Sequence, residues 1–414
     1  MRALPALPWV CSAFLAASLF SHTVSLRLLL LAAGAALAAT AVWQERGALR
    51  PLPPIWPYFA LWAAWAVLSL AWSIEPERTL KELRNEALYT GIALWICFVA
   101  AQARGAARIV LPAVAIAINA AIAVALLTFS FSWEDYLAGP HSGPGDHSSA
   151  LLTLLPCLAM AGWYGKRAGW PRRTLLVIAV LAALFAASAY ATLNRTVWLG
   201  FAVQLALLGG LLLWRAERAW LSWARVAGAA AGVIGIVALT FVSVQATREA
   251  TGVGKALEAD HRLLLWPEVI EQIGAQPLTG YGFGRGLLRA PLQADFRALD
   301  GHLWHAHNIV LEALLQLGVP GLALLALLLG LLVREGWRYA RSADERAMAC
   351  GIALIAVVAG MLIRNMTDTL FVRQNALLFW GVAGMLLGLP LSRGGSTART
   401  PAPSGAAARA PRPG

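Results

Sequence analysis

Apolar runs of about 20 residues recur from one end of this chain to the other, and that recurrence limits its fold more than any motif does. A helix of about 20 residues crosses a bilayer core of about 30 Å. The runs leave little room for a soluble core: of 414 residues, 59% are hydrophobic and only 13% charged, where a soluble domain carries about 25% charged residues. The expectation is an all-α, polytopic inner-membrane protein. Twelve candidate spans lie near 6–23, 27–43, 56–74, 86–102, 109–130, 149–165, 174–193, 196–214, 226–246, 309–333, 347–363 and 374–391. The first run is similar to a signal peptide, but no small-residue cleavage site followed by soluble sequence accompanies it, so it reads as a retained helix. The chain thus divides into nine helices over 1–246, a polar loop with short helices over 247–308, three helices over 309–391, and a Pro/Ala/Arg-rich tail over 392–414 that reads as disordered. Cys11, Cys97, Cys157 and Cys350 all sit inside apolar runs without metal or redox spacing, and read as small core residues.

The formal charge of +12 is a topology signal before it is a sign of nucleic acid, which is not expected as a partner. With the N-terminus in the cytoplasm, Arg46, Arg50, Arg104, Arg108, Lys166, Arg167, Arg172, Arg173, Arg215, Arg218, Arg225, Arg334, Arg338, Arg341, Arg346 and the tail arginines fall on the inner side. The outer short loops hold only Arg27, Arg78, Lys81, Arg84, Arg195, Arg364 and Arg373. The positive-inside rule then places both termini in the cytoplasm and the long loop outside, in the periplasm of a Gram-negative cell.

Positive charge on the outer side needs a reason. Arg195 is the sole charged side chain between Thr174 and Trp214, at the outer tip of a two-helix hairpin. It is either an interfacial anchor or an anion site, since a lone arginine in or near a bilayer usually has a partner. Arg262 opens a stretch with amphipathic helical spacing over 260–274, which breaks at "QPLTGYGFGRG". Those glycines are turn residues or allow close backbone approach to a ligand. The stretch GYGFGRG is superficially similar to a dinucleotide fingerprint but follows no strand. A third element is "HAHNIVLEALLQLGVPG" at 305–321. A helix starting at Asn308 puts His307 at its N-terminal end, where the dipole favours a neutral imidazole able to accept a proton. His302 and His305 stand nearby, and spacing alone does not choose among the three. The outer acids considered (Glu134, Asp135, Asp146, Glu258, Asp260, Glu268, Asp295 and Asp300) are scattered without a DxD-like pair. Chemistry without a metal is therefore expected, and no cofactor. Neither a nucleophile elbow nor a P-loop is present.

Taken together, these residues resemble a family. His307-Asn308, nine residues, Gly318, two residues and Gly321 fit the signature of bacterial O-antigen ligases and their relatives, the O-antigen polymerases and O-linked oligosaccharyltransferases. Arg195 on an outer hairpin, "R-x-x-x-W" at Arg262 and Trp266, "P-L-x-G-x-G" ending on Gly280 and Gly282, and "WSIEPERTL" after the third span are similar to the family as well. Asn194 stands where relatives often have serine. His147, in "GPGDHSSALL", loosely matches a polar motif that opens a helix in relatives.

The resemblance implies a GT-C-type glycosyltransferase-like protein. Its donor would be an O-antigen glycan on undecaprenyl diphosphate, and its acceptor a hydroxyl of the lipid A–core oligosaccharide, at the periplasmic face. Within that implication His307 is the general base, and Arg195 and Arg262 hold the diphosphate, which guanidinium binds through paired hydrogen bonds. Asn308, Lys81, Arg84, His147, Trp266, Gly280 and Gly282 are candidate substrate-binding residues. A ligase is favoured over a polymerase or protein-directed transferase by the compact layout. A lipid-linked glycan transporter is disfavoured because the unusual charges gather at one face rather than near the midplane.

Overall fold

The described residues satisfy their backbone entirely as helices and turns, with no strand among them. The computed structural model describes residues 3–20, 22–131, 144–192, 194–215, 261–286, 305–369 and 371–392, and isolated positions between 231 and 246. In chain order the helices are α1 (Ala3–Ala17), α2 (Val24–Gln44), α3 (Trp56–Leu68), α4 (Pro76–Glu82), α5 (Tyr89–Ala101), α6 (Ala106–Phe131), α7 (Pro144–Arg167), α8 (Arg172–Ala191), α9 (Arg195–Arg215), α10 (His261–Ala275), α11 (Ile309–Ala340), α12 (Glu345–Asn365) and α13 (Arg373–Gly388).

Eight of these helices are long and apolar enough to cross a membrane, namely α2, α6, α7, α8, α9, α11, α12 and α13. The protein is an integral membrane protein by that measure. Each expected span except the ninth meets a helix; the ninth, 226–246, lies mostly outside the described residues. Three helices are shorter than expected. α1 stops at Ala17 and α3 at Leu68, followed by a 3-10 turn over Ser69–Ala71. α5 covers only Tyr89–Ala101, but a π-helical turn over Leu83–Leu88 joins it to α4, the single-turn π form that occurs inside α-helices.

α12 and α13 form the centre: 78% and 83% of their apolar windows are buried, against 28% for α2 and α8. Glycine lets backbones approach there, since a Cβ at Gly384 or Gly388 would run into the carbonyls of Leu94 and Phe98 on α5. Gln204 on α9 ties three helices together. Its Nε2 donates to Leu152 O (2.6 Å) on α7 and Ala356 O (3.0 Å) on α12.

α11 is broken at Gly318, where φ is 63° and ψ is −169°, a region that essentially only glycine occupies. Pro320 follows and cannot donate a backbone hydrogen bond. The carbonyls released by the break find donors in the loop after α10. Tyr281 N donates to Leu315 O and Gly282 N to Gln316 O, each at 3.0 Å, while Val319 N donates to Pro277 O at 2.8 Å. Trp65 Nε1 on α3 donates to Leu317 O at 3.0 Å. The segment after α3 holds the loop from behind, through Trp72 Nε1 to Thr279 O (3.0 Å) and Ile74 N to Tyr281 O (3.2 Å). Irregular backbone within a membrane fold is tolerated where it is buried and bonded in this way.

Gly318→Ala is therefore expected to destabilise the protein by about 1–3 kcal/mol from backbone strain alone, with a further cost because its Cβ meets the carbonyls of Pro277 and Leu278. A lowered unfolding midpoint in detergent checks this. An unchanged midpoint would show that the break does not depend on glycine.

Candidate functional site

Asn308 caps α11 and fixes the residues before it. Its Oδ1 accepts from Val310 N (2.9 Å) and Leu311 N (3.2 Å), and its Nδ2 donates to Met366 O (3.0 Å) beyond α12. The amide side chain expected to bind substrate is thus engaged in three protein hydrogen bonds. His307 is in the left-handed region, with φ of 50°, uncommon for a residue with a Cβ and often found at functional sites. Its surroundings hold it there. Ala306 N donates to buried Glu312 (2.8 Å), whose other oxygen accepts from Gln316 (2.9 Å), and Gln316 in turn accepts from Gly284 N (3.0 Å). Trp266 on α10 donates from Nε1 to Ala306 O at 3.0 Å. His305 stacks on His307 with ring centroids 3.7 Å apart, and its Nδ1 accepts from His307 N at 3.1 Å.

Behind the His307 ring stands Asp368, which the sequence reasoning passed over. His307 Nδ1 lies 3.3 Å from Asp368 Oδ1, long for a hydrogen bond but close enough for the carboxylate to attract an Nδ1 proton. Catalytic hydrogen bonds without substrate are often this loose. The second carboxylate oxygen is 3.4 Å from Arg364, a buried guanidinium that also donates to Ser148 Oγ at 3.0 Å. Burial raises the Asp368 pKa, but the His307 interaction and the Arg364 charge outweigh it and hold the carboxyl well below its usual range. Asp368 is an anion at neutral pH. Both ring nitrogens of His307 are buried and neither completes a hydrogen bond among the described residues, but only Nδ1 faces a carboxylate.

The starts of α7, α9 and α13 also meet here. Asp146 at the start of α7 accepts from Gln374 and Asn375 of α13, both at 2.7 Å. The first turn of α9 joins the loop after α12 through Thr196 Oγ1 and Thr367 Oγ1, 3.0 Å apart. Arg285 donates to Thr369 O at 2.5 Å, and burial lowers its pKa. Arg373 N, at the start of α13, donates to Glu86 at 2.7 Å. The result is a set of arginines and carboxylates at one end of the bundle, with Arg364, Glu86 and Glu312 buried and Arg285, Asp146 and Asp368 half-buried.

The other expected site residues divide. Arg195 is the first residue of α9, exposed, at the same end. Asn194 accepts from Thr196 N at 3.0 Å, a short-range cap that serine also makes, which accounts for asparagine at that position. Arg262 lies in the first turn of α10; its side chain is outside the described residues, as is His302. Lys81 and Arg84 are exposed on α4 and the π-helical turn, and no hydrogen bond or ion pair joins either to the His307 cluster. His147 is buried, with Nε2 2.5 Å from Ser188 Oγ on α8, so it links two helices. Trp266 positions the 305–308 segment. The close approach permitted by Gly280 and Gly282 is to α11 and to Ser73 rather than to a ligand.

His305, His307 and Asp368 each offer a ligand atom, all within 4.8 Å of one another. Two imidazoles and a carboxylate are a recognised donor set for a divalent ion. Here the carboxylate is already paired with Arg364, whose charge a cation would have to face at close range.

Replacing Asn308 by Ala removes a cap and an inter-helix bond. A loss of about 1–2 kcal/mol in stability is expected, read as a lower unfolding midpoint. Asn308→Asp keeps the cap oxygens and should recover part of it; no recovery would move the main role to the Met366 bond.

Residues 178–326 match a family model described as O-Antigen ligase. A Rickettsia felis protein named "Putative polysaccharide ligase" is 28% identical over 112 residues, which are 26% of this chain and 27% of that protein. The match thus spans about a quarter of the relative's length. The family match runs from within α8 through Arg195, Arg262 and the capped histidine to just past the break in α11, while Arg364 and Asp368 lie beyond it. Over residues 178–326, the chain is similar to the O-antigen ligase family.

Proposed function

We propose that this protein is a glycosyltransferase that moves an O-antigen glycan from undecaprenyl diphosphate to a hydroxyl of the lipid A–core oligosaccharide. The observation that carries the reading is His307, with Asp368 at Nδ1, no partner at Nε2, and arginines around it. In this reading His307 Nε2 takes the proton of the acceptor hydroxyl as its oxygen attacks the anomeric carbon. The C–O bond to the diphosphate breaks, and its electron pair leaves with the lipid diphosphate. A single displacement inverts the anomeric centre. Asp368 orients the imidazole and stabilises the imidazolium. Arg195 and Arg262 bind the diphosphate and offset the charge it gains on leaving. The site faces the periplasm in a twelve-helix inner-membrane protein with both termini in the cytoplasm, and the chemistry needs no metal.

The family match and the membrane-spanning helices support this reading. So does the placement of the charged cluster at one end of the helices, as one-sided chemistry requires.

Three outcomes are expected. His307→Ala abolishes glycan transfer while protein persists in the membrane, and Asp368→Asn lowers the rate by about 10²–10⁴-fold, the usual contribution of positioned proton transfer; wild-type attachment in the first would sink the base assignment. Arg195→Lys impairs transfer because an ammonium cannot reproduce the guanidinium fork, whereas full activity would reduce Arg195 to an anchor. Purified protein reconstituted with lipid-linked O-antigen extends core–lipid A rather than a second lipid-linked glycan, and does so in excess EDTA. Growth of the second glycan would identify a polymerase, no product with either acceptor would favour transport, and magnesium-rescued loss would overturn the metal-free mechanism.

A further inference from the structure

At the end of the bundle opposite His307, a cavity of about 1020 Å³ opens between α6, α7 and α8 and reaches α13. The helix polarities fix that placement. The cavity takes in the start of α6, the later part of α7, the start of α8 and the end of α13. The His307 cluster takes the start of α7, the end of α12 and the start of α13. Its volume is at the upper end of pockets that enclose organic ligands, roughly 300–1,000 Å³.

The lining divides by polarity. Ile118 and Leu158 belong to an apolar part, while Arg104, Arg108 and Arg346 lie along the border and no carboxylate lines the cavity. Two other arginines at this end are paired with carboxylates, Arg167 with Glu345 and Arg338 with Glu335. Arg346 donates to Ser392 at 2.7 Å, a neutral hydroxyl. Arg104 and Arg108 are exposed, and their side chains have no ion pair or hydrogen bond among the described residues. The cavity also has an apolar mouth. Val177 lines it yet is 55% exposed, beside exposed Leu176 and Val180.

We propose that this cavity is a binding site for an anionic glycerophospholipid. The phosphate sits against Arg104, Arg108 and Arg346, and an acyl chain enters between α6 and α8. Charge complementarity supports a phosphate-bearing occupant: guanidinium pairs with phosphate oxygens, and basic residues near a membrane surface attract anionic lipid. The apolar depth and lateral mouth fit a chain that arrives from the bilayer rather than a soluble anion. The site is independent of the transfer reaction.

Native mass spectrometry of the full-length protein in detergent tests this, with phosphatidylglycerol and phosphatidylcholine of identical chains. Wild type should retain phosphatidylglycerol at least about tenfold better than phosphatidylcholine, and R104Q/R108Q should remove most of that preference. Ala161→Phe, which fills the cavity without touching an arginine, should lower retention of phosphatidylglycerol. Equal retention of the two lipids, an unchanged preference in R104Q/R108Q, or full retention in Ala161→Phe would each overturn the proposal. So would tighter retention of undecaprenyl phosphate than of phosphatidylglycerol, which would assign the cavity to the carrier lipid.

Discussion

The break in α11 is the constraint on which the rest of the site depends. A helix interrupted inside a membrane fold exposes carbonyls that lipid cannot bond. Here the loop after α10 and the Trp65 indole of α3 supply the donors, and the loop is thereby locked against α11. The same turn of α11 carries Glu312 and Gln316, whose side chains reach back to Ala306 and forward to Gly284. Satisfying the broken backbone therefore also fixes the segment that carries His305 and His307. A histidine at φ of 50° persists only when its neighbours hold both sides of it, and these contacts do so.

Buried charge is organised on the same principle. Isolated, any of Arg364, Asp368 or Asp146 would be costly in a bundle of this apolarity. Each has a partner from a different helix end: Ser148 for Arg364, His307 and Arg364 for Asp368, and Gln374 and Asn375 for Asp146. The polar end of the bundle is thereby cross-linked among α7, α11, α12 and α13. His307 Nε2 differs from these groups in having no hydrogen bond, which is the condition a proton acceptor for an incoming hydroxyl requires.

Several residues that the sequence marked as ligand contacts also hold the scaffold together. Asn308 spends its side chain on a cap and on Met366; His147 bonds Ser188; Trp266 bonds Ala306; Gly280 and Gly282 let a loop touch α11 and Ser73. Their residue types pointed to a functional region, but polarity in a membrane sequence does not distinguish a group that bonds substrate from one that bonds a neighbouring helix. Asp368 shows the converse. Along the chain it stands in a short polar break between two apolar runs, "RNMTDTLFVRQN", where Arg364, four residues before it, is within reach but His307 is not.

The sequence by itself determined that this is a helical membrane protein. Hydrophobic run length is a local property, and the bilayer converts it directly into spans. It also located the two elements that the family match later covered, Arg195 at a hairpin tip and His307 at a helix start, because capping and glycine signals are local too. Only the tertiary structure decided that His307 is backed by Asp368, 61 positions later, and that Ser148 bonds the Arg364 paired with that carboxylate. Such pairing depends on which helix ends meet, and helix packing is set by small-residue contacts such as Gly384 and Gly388 against α5, which no spacing along the chain records.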